Sequence, residues 1–340
     1  MKSPICILLV FISLSSLTIG QTYSPHPLFL TINSGARAAG MGNTGTALAN
    51  DVSAIYLNPA GLARQTGREF EYAWSKYSPN TDPDIKVASA IFKIRIYGIG
   101  TFGLGYLHFA GDENPIEPSA ESPDGKRIRP KDTAFILSYG TQLSAALSAG
   151  FNIKYAKSQK VDVTLQEASF LCYDVGILYA PNYLRNAVFG INIANLGLQI
   201  QYSDQNFKQA IPTMLKLGMA YKLINNAYTK LNCTLDFNKI MVKMQIDENS
   251  EPEFDPVYQA LFTSWSKDQF NFGCGFEYWY AGLLALRTGY IFDKNEKSEH
   301  FATSGFSIRY ALYEFDLSYL FASQTHPYKG RVQLALKVGF

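Results

Sequence analysis

The feature that most constrains this 340-residue chain is a period of two in its hydrophobic residues. Leu231, Cys233, Leu235 and Phe237 alternate with Asn232, Thr234, Asp236 and Asn238. Phe270, Phe272, Cys274, Phe276, Tyr278 and Tyr280 alternate with Asn271, Gly273, Gly275, Glu277 and Trp279. At the C-terminus Val332, Leu334, Leu336, Val338 and Phe340 alternate with Arg331, Gln333, Ala335, Lys337 and Gly339. Successive side chains of a strand point to opposite faces, so these are strands with one apolar face and one polar or small one. A β-sandwich in water would carry the same pattern. Length separates the two solvents. A tilted strand needs about 9–11 residues to cross a bilayer, against about 5–6 in ordinary sheets.

The pattern predicts strands at 68–77, 87–95, 99–110, 133–141, 145–156, 168–179 and 186–196. It continues at 213–222, 229–239, 270–280, 283–292, 300–310, 311–320 and 330–340. Alternate connections are long: 78–86, 111–132, 157–167, 197–212, 240–269, 293–299 and 321–329. Those between them are tight, as at Gln142-Leu143-Ser144 and Ala281-Gly282. Short turns on one side and long loops on the other, with an even strand number of about 14, are the signature of a bacterial outer-membrane barrel. The expected fold is therefore all-β, a transmembrane antiparallel β-barrel.

Composition agrees. Charged residues are 17% of the chain, against roughly 25% in soluble domains, and 23 Phe and 22 Tyr exclude a disordered chain. Yet mean hydropathy is -0.05, and beyond residue 20 no run nears the roughly 18 apolar residues of a spanning helix. Alternation resolves this, because every second strand residue faces lipid. Tyr72, Trp74, Tyr278, Trp279, Tyr280, Tyr310, Tyr313 and Tyr319 lie near strand ends, where aromatic girdles are expected. The net charge of +2 gives no reason to expect a nucleic-acid partner. The short basic run Gly125–Lys131 reads as a solvated loop.

Residues 1–20 read as a signal peptide: Lys2, then the apolar run Ile5–Ile12, then small residues at Thr18 and Gly20, with Gln21 as the mature start. Cys6 leaves with it. The odd remainder, Cys172, Cys233 and Cys274, argues against a disulfide framework. His26, His108, His300 and His326 are isolated, and the chain has no CxxC or HExxH, so neither a metal nor a cofactor is expected.

Residues 33–63, NSGARAAGMGNTGTALANDVSAIYLNPAGLA, break the period. Small residues dominate, permitting close backbone approach. Gly40-Met41-Gly42-Asn43-Thr44-Gly45 mimics a dinucleotide fingerprint but follows no strand. The physical expectation is a segment, 21–67, that packs inside the barrel formed by 68–340 and plugs it.

That stretch resembles the N-terminal hatch of FadL-like outer-membrane proteins in its Asn58-Pro59-Ala60-Gly61 run. Its fuller form, through Gly35, Arg37, Gly40, Met41 and Gly42, is more similar to the PorV/PorQ family. DTAFILSYGTQLS (132–144), IPTMLKLGMAY (211–221), LDFNKIMV (235–242), FEYWY (276–280), LRTGYIF (286–292) and FDLSYLF (315–321) extend the resemblance in order along the mature chain. Phe340 on the last strand resembles the assembly signal of outer-membrane barrels.

The resemblance implies an outer-membrane component of the type IX secretion system, not an enzyme. It would bind the C-terminal sorting domains of secreted cargo at the translocon and deliver them to a surface attachment complex with a sortase-like peptidase. The longest loops are the expected contacts: Lys126, Arg127 and Arg129 in one, Asp247, Glu248, Glu251, Glu253 and Asp255 in the other. Two other readings compete. One is a FadL-like channel admitting hydrophobic small molecules. The other is a lipid-modifying enzyme, for which His108 and Ser138 are the only candidates.

Overall fold

A computed structural model describes residues 27–79, 85–111, 114–115, 127–128, 131–161, 165–203, 208–245, 253–265, 270–294, 300–323 and 328–340. Residues 1–20, with the expected signal peptide, lie outside this set.

Fourteen antiparallel strands close into one barrel. They are β1 (Arg68–Ser78), β2 (Ile85–Ile96), β3 (Gly100–Ala110), β4 (Lys131–Gln142) and β5 (Leu147–Val161). Next come β6 (Leu165–Tyr179), β7 (Ala187–Gly197), β8 (Met214–Asn225), β9 (Thr229–Ile240) and β10 (Phe270–Tyr280). The ring ends with β11 (Leu284–Lys294), β12 (His300–Tyr310), β13 (Tyr313–Phe321) and β14 (Val332–Gly339). Each strand pairs with its neighbours in sequence, and β14 returns to β1 in the register Glu69↔Gly339 to Ser75↔Gln333. The seam finishes where Arg68 and Phe340 exchange backbone hydrogen bonds of 2.9 and 3.0 Å. Closure is what a bilayer demands, since it leaves no unpaired edge in hydrocarbon.

The alternation maps onto the wall as expected. Leu286, Thr288 and Tyr290 of β11 face out, while Ala285, Arg287, Gly289 and Ile291 are buried toward the lumen. The tight ends use primed-turn geometry: Ala281 and Gly282 have φ of 52° and 68°, matching the twist of the flanking strands.

Two expectations need correction. The loop predicted at 157–167 is largely strand, with β5 and β6 paired as far as Val161↔Leu165. Residues 157–160, Lys-Ser-Gln-Lys, are polar on both faces and break the alternation. The ladder is held by main-chain pairing and by Ser158 donating to Asp132 (2.7 Å) and Gln159 to Glu167 (2.6 Å). Second, Trp279 is no girdle residue. It points into the lumen, 7% exposed, with the Arg309 guanidinium 4.4 Å from its ring centroid.

Candidate functional site

The N-terminal segment contributes two single-turn helices, α1 (Ala36–Ala39) and α2 (Ala54–Leu57), and short 3-10 turns at Leu28–Thr31 and Pro59–Arg64. It touches strands on opposite sides of the ring, and nearly all of residues 32–65 are buried or half-buried. The barrel interior is therefore occupied by chain.

One arc of the wall meets it with charge. Arg37 of α1 grips Glu277 of β10 with both arms of its guanidinium, at 2.7 and 2.8 Å. A bidentate pair of this kind fixes direction as well as distance. The third arm reaches Asp51 at 3.0 Å. Arg287 of β11 shares Glu277 Oε2 with Arg37, at 2.9 Å, and reaches Asp316 of β13 at 2.9 Å. Lys337 of β14 closes the circuit, 2.8 Å from Asp51 and 3.0 Å from Asp316. Burial opposes the ionisation of Asp51, but Lys337 and Arg37 outweigh it and hold its carboxyl well below the usual carboxylate range. Burial likewise works against the Arg37 charge, and Glu277 and Asp51 more than restore it.

The opposite arc meets the segment with backbone. Gly140, Gly150 and Gly176 sit side by side on β4, β5 and β6. A Cβ at Gly140 would lie 2.8 Å from the Pro59 carbonyl oxygen. At Gly150 it would overlap the Pro59 carbonyl, and at Gly176 the Asn58 side chain. These strands lack side chains where the segment passes, so main chain packs on main chain.

Asn58 is the hub of this contact. Its Nδ2 donates to the carbonyls of Thr46 (2.9 Å), Ile177 (3.2 Å) and Ile191 (3.3 Å), and its Oδ1 accepts from Ala60 N–H at 3.1 Å. Pro59 then starts the 3-10 turn where no N–H is needed. A Cβ at Gly61 would overlap the Ala49 carbonyl. On β9, Asp236 accepts from Gly45 and Thr46 N–H, each at 2.9 Å. Gly42 turns with φ of 67° against β10, where a Cβ would stand 2.7 Å from the Cys274 carbonyl oxygen.

The motif residues Gly35, Arg37, Gly40, Met41, Gly42, Asn58, Pro59, Ala60 and Gly61 thus all lie in the lumen contact. Sequence reading missed Asp51, Glu277, Arg287, Asp316 and Lys337 as partners of Arg37. The available signal was a charge at a lumen-facing strand position, as at Glu277 and Lys337.

The loop candidates fare differently. Lys126, Arg129, Asp247, Glu248 and Glu251 lie outside the described residues. Arg127 and Glu253 fall in two-residue strand pairings, 127–128 with 114–115 and 253–254 with 244–245. Asp255 is buried, and its carboxylate accepts from Thr263 Oγ1 at 2.7 Å at the end of α3 (Val257–Thr263). His108 and Ser138 do not form a pair: His108 faces outward on β3 and Ser138 is fully buried on the inner face of β4. No group of three or more His, Cys, Asp or Glu among the described residues is arranged to hold a metal ion.

A closed barrel filled by a segment built around Gly40-Met41-Gly42 and Asn58-Pro59-Ala60-Gly61 narrows the family. The model for the type IX secretion system protein PorV matches residues 21–247. The chain belongs to the PorV family. It is accordingly an outer-membrane component of type IX secretion. No curated protein matches the chain in sequence. Among solved structures, the barrel is similar to the Ralstonia pickettii toluene transporter TbuX, at 15% identity and a TM-score of 0.57, covering 90% of this chain and 98% of that one. A Pseudomonas aeruginosa FadL homologue has the same TM-score and coverage at 10% identity. The Pseudomonas putida toluene transporter TodX follows at 13% identity and 0.54, covering 89% and 97%. At these identities the likeness is one of fold: this PorV-family barrel is FadL-like.

Proposed function

We propose that this PorV-family barrel is a non-enzymatic carrier in type IX secretion, with residues 21–67 acting as a fixed plug and the external loops as the docking face. The C-terminal sorting domain of a cargo protein engages those loops at the translocon. The barrel then diffuses in the membrane to an attachment complex containing a sortase-like peptidase. The observation that carries this reading is the family membership, taken with a lumen segment held on both sides. A segment tied to one arc by desolvated ion pairs and to the other by backbone contact is poorly suited to move aside for a solute. The loops at 111–132 and 240–269 are the docking candidates, with the basic group Lys126, Arg127 and Arg129 and the acidic group from Asp247 to Glu253. Residues 1–20 direct export and are removed before Gln21.

Affinity capture of the tagged protein from its native membrane tests the proposal. Recovery of cargo C-terminal domains or of the translocon is the expected result. Recovery of neither, with uptake of a hydrophobic solute lost on deletion, would overturn it in favour of a channel like the toluene transporters it resembles in fold. Intact-mass measurement of the purified protein checks the Gln21 start.

A further inference from the structure

The outer wall is not uniform. Across β2 to β5 its lipid-facing side is indented by an open apolar groove of about 540 Å³, walled by Phe92, Leu104, Tyr106, Phe135, Leu137 and Tyr155. Its floor is low because Ala90, between Tyr72 and Tyr106 in the register, offers only a methyl group. Immediately above, toward the long-loop end, the same strands carry exposed Lys76, Lys86, Lys131 and Lys157 on the outward face. Lys76 pairs with Lys86, Lys86 with Ala110 and Ala110 with Lys131, so three of them share one level around the wall. Lys157 lies one step lower, opposite Thr133 and two residues beyond Tyr155. At about 3.3 Å per residue, the lysines stand roughly 7–13 Å above the groove.

This charge is concentrated on one face. On β6 to β8 the outward positions at the same end are Glu167, Ser169, Ile193, Leu196 and Leu215, none of them cationic. The next outward cation, Lys239 on β9, is buried, with its ammonium 5.9 Å from the Trp265 ring centroid. Lysines at a bilayer edge extend their ammonium groups to the headgroup level while their stems stay in the apolar layer. Each adds attraction to an anionic lipid. A groove sized for acyl chain beneath a row of such groups is complementary to a lipid with a phosphorylated headgroup. The long-loop end faces outside, where the leaflet is made of phosphorylated glycolipid.

We infer that the β1–β5 face is a binding site for a phosphorylated glycolipid of the outer leaflet, with the four lysines holding its phosphates and the groove below holding an acyl chain. The site stands independently of the cargo-carrier reading. It gives the barrel a fixed contact with the surface glycolipid on that side, which would orient it among its membrane neighbours.

Titration of the purified full-length mature protein in detergent, read by native mass spectrometry, tests this with three probes: bis-phosphorylated lipid A, the same lipid A stripped of phosphate, and dioleoylphosphatidylglycerol. Wild-type protein is expected to hold lipid A at least about tenfold more tightly than either other probe. The quadruple variant K76Q/K86Q/K131Q/K157Q should lose that preference. Ala90→Trp, which fills the groove, should weaken lipid A and the phosphate-free form alike. Both variants keep the lumen contacts, and retention of heat-modifiable gel mobility verifies their folding. Equal binding of phosphate-free lipid A, or a preference surviving the quadruple substitution, would overturn the site. Equal binding of phosphatidylglycerol would overturn its assignment to glycolipid.

Discussion

Strands β10 to β14 meet the N-terminal segment with charged side chains as well as glycines, whereas β4 to β6 meet it chiefly with glycine and exposed backbone. The first arc specifies direction: Arg37 must find Glu277, and Asp51 must find Lys337, at one rotation of the segment. Its cost is desolvation, which only a completed circuit of partners offsets. The second arc specifies shape, because a strand without Cβ atoms admits main chain at one depth and no other. Its charged contacts are few: Arg64 donates to Ser148 Oγ (3.1 Å) and the Ala146 carbonyl (3.0 Å), and the Lys154–Asp174 pair (2.8 Å) lies next to Asn152 where that residue donates to the Ile55 carbonyl. The two arcs should therefore fail in different ways.

The largest expected effect is on the charged arc. Glu277→Ala leaves Arg37 and Arg287 buried without their shared carboxylate. That should cost about 3–5 kcal/mol, read as a lowered midpoint of heat-modifiable gel mobility and as protease cleavage within residues 35–60. Gly150→Val attacks the other arc by forcing a side chain onto the Pro59 carbonyl. About 1–3 kcal/mol is expected, and added salt should leave it unchanged, while the Glu277→Ala defect should deepen or ease with ionic conditions. Equal salt response in the two variants would erase the distinction between the arcs.

Acid should probe the charged arc through Asp51. The Asp51 carboxyl is depressed in the folded state, so its stabilising contribution is complete above the unfolded value of about pH 4 and is lost as pH falls through the lower folded value. Protease protection of the segment should stay constant from neutral pH down to about 4 and decline below it. In Asp51→Asn that component of the decline should be absent. Smallest of all is Arg309→Gln. Arg309 is half exposed, with 48% of its side chain accessible, although it pairs with Glu314 and lies over Trp279. A loss of under about 1 kcal/mol is expected, and a larger one would show that the charged network extends to the barrel rim.

Most of the wall was legible in advance because a strand between lipid and lumen writes its two environments into alternate residues. β10, predicted at 270–280, has those limits in the structure. Where both faces are polar the signal vanishes, as at Lys157–Lys160, which is why the outer part of the β5–β6 hairpin read as a loop. Trp279 misled for a related reason: aromatic residues serve equally at a membrane interface and in a lumen, and only the phase of its strand, in register with Glu277, separates the two. The Asn58–Gly61 motif marked the segment but not its seat, since Gly140, Gly150 and Gly176 lie on three different strands.

By itself, then, the sequence determined a lipid-embedded barrel, its strand order and the identity of the segment that departs from the pattern, all properties set by neighbours along the chain. The tertiary structure decided which strands face that segment. The circuit of Arg37, Asp51, Glu277, Arg287, Asp316 and Lys337 spans most of the chain length, and the outward lysine row draws on four strands. Such contacts depend on register summed around a closed ring, and closure exists only once the last strand, ending at Phe340, has paired with the first.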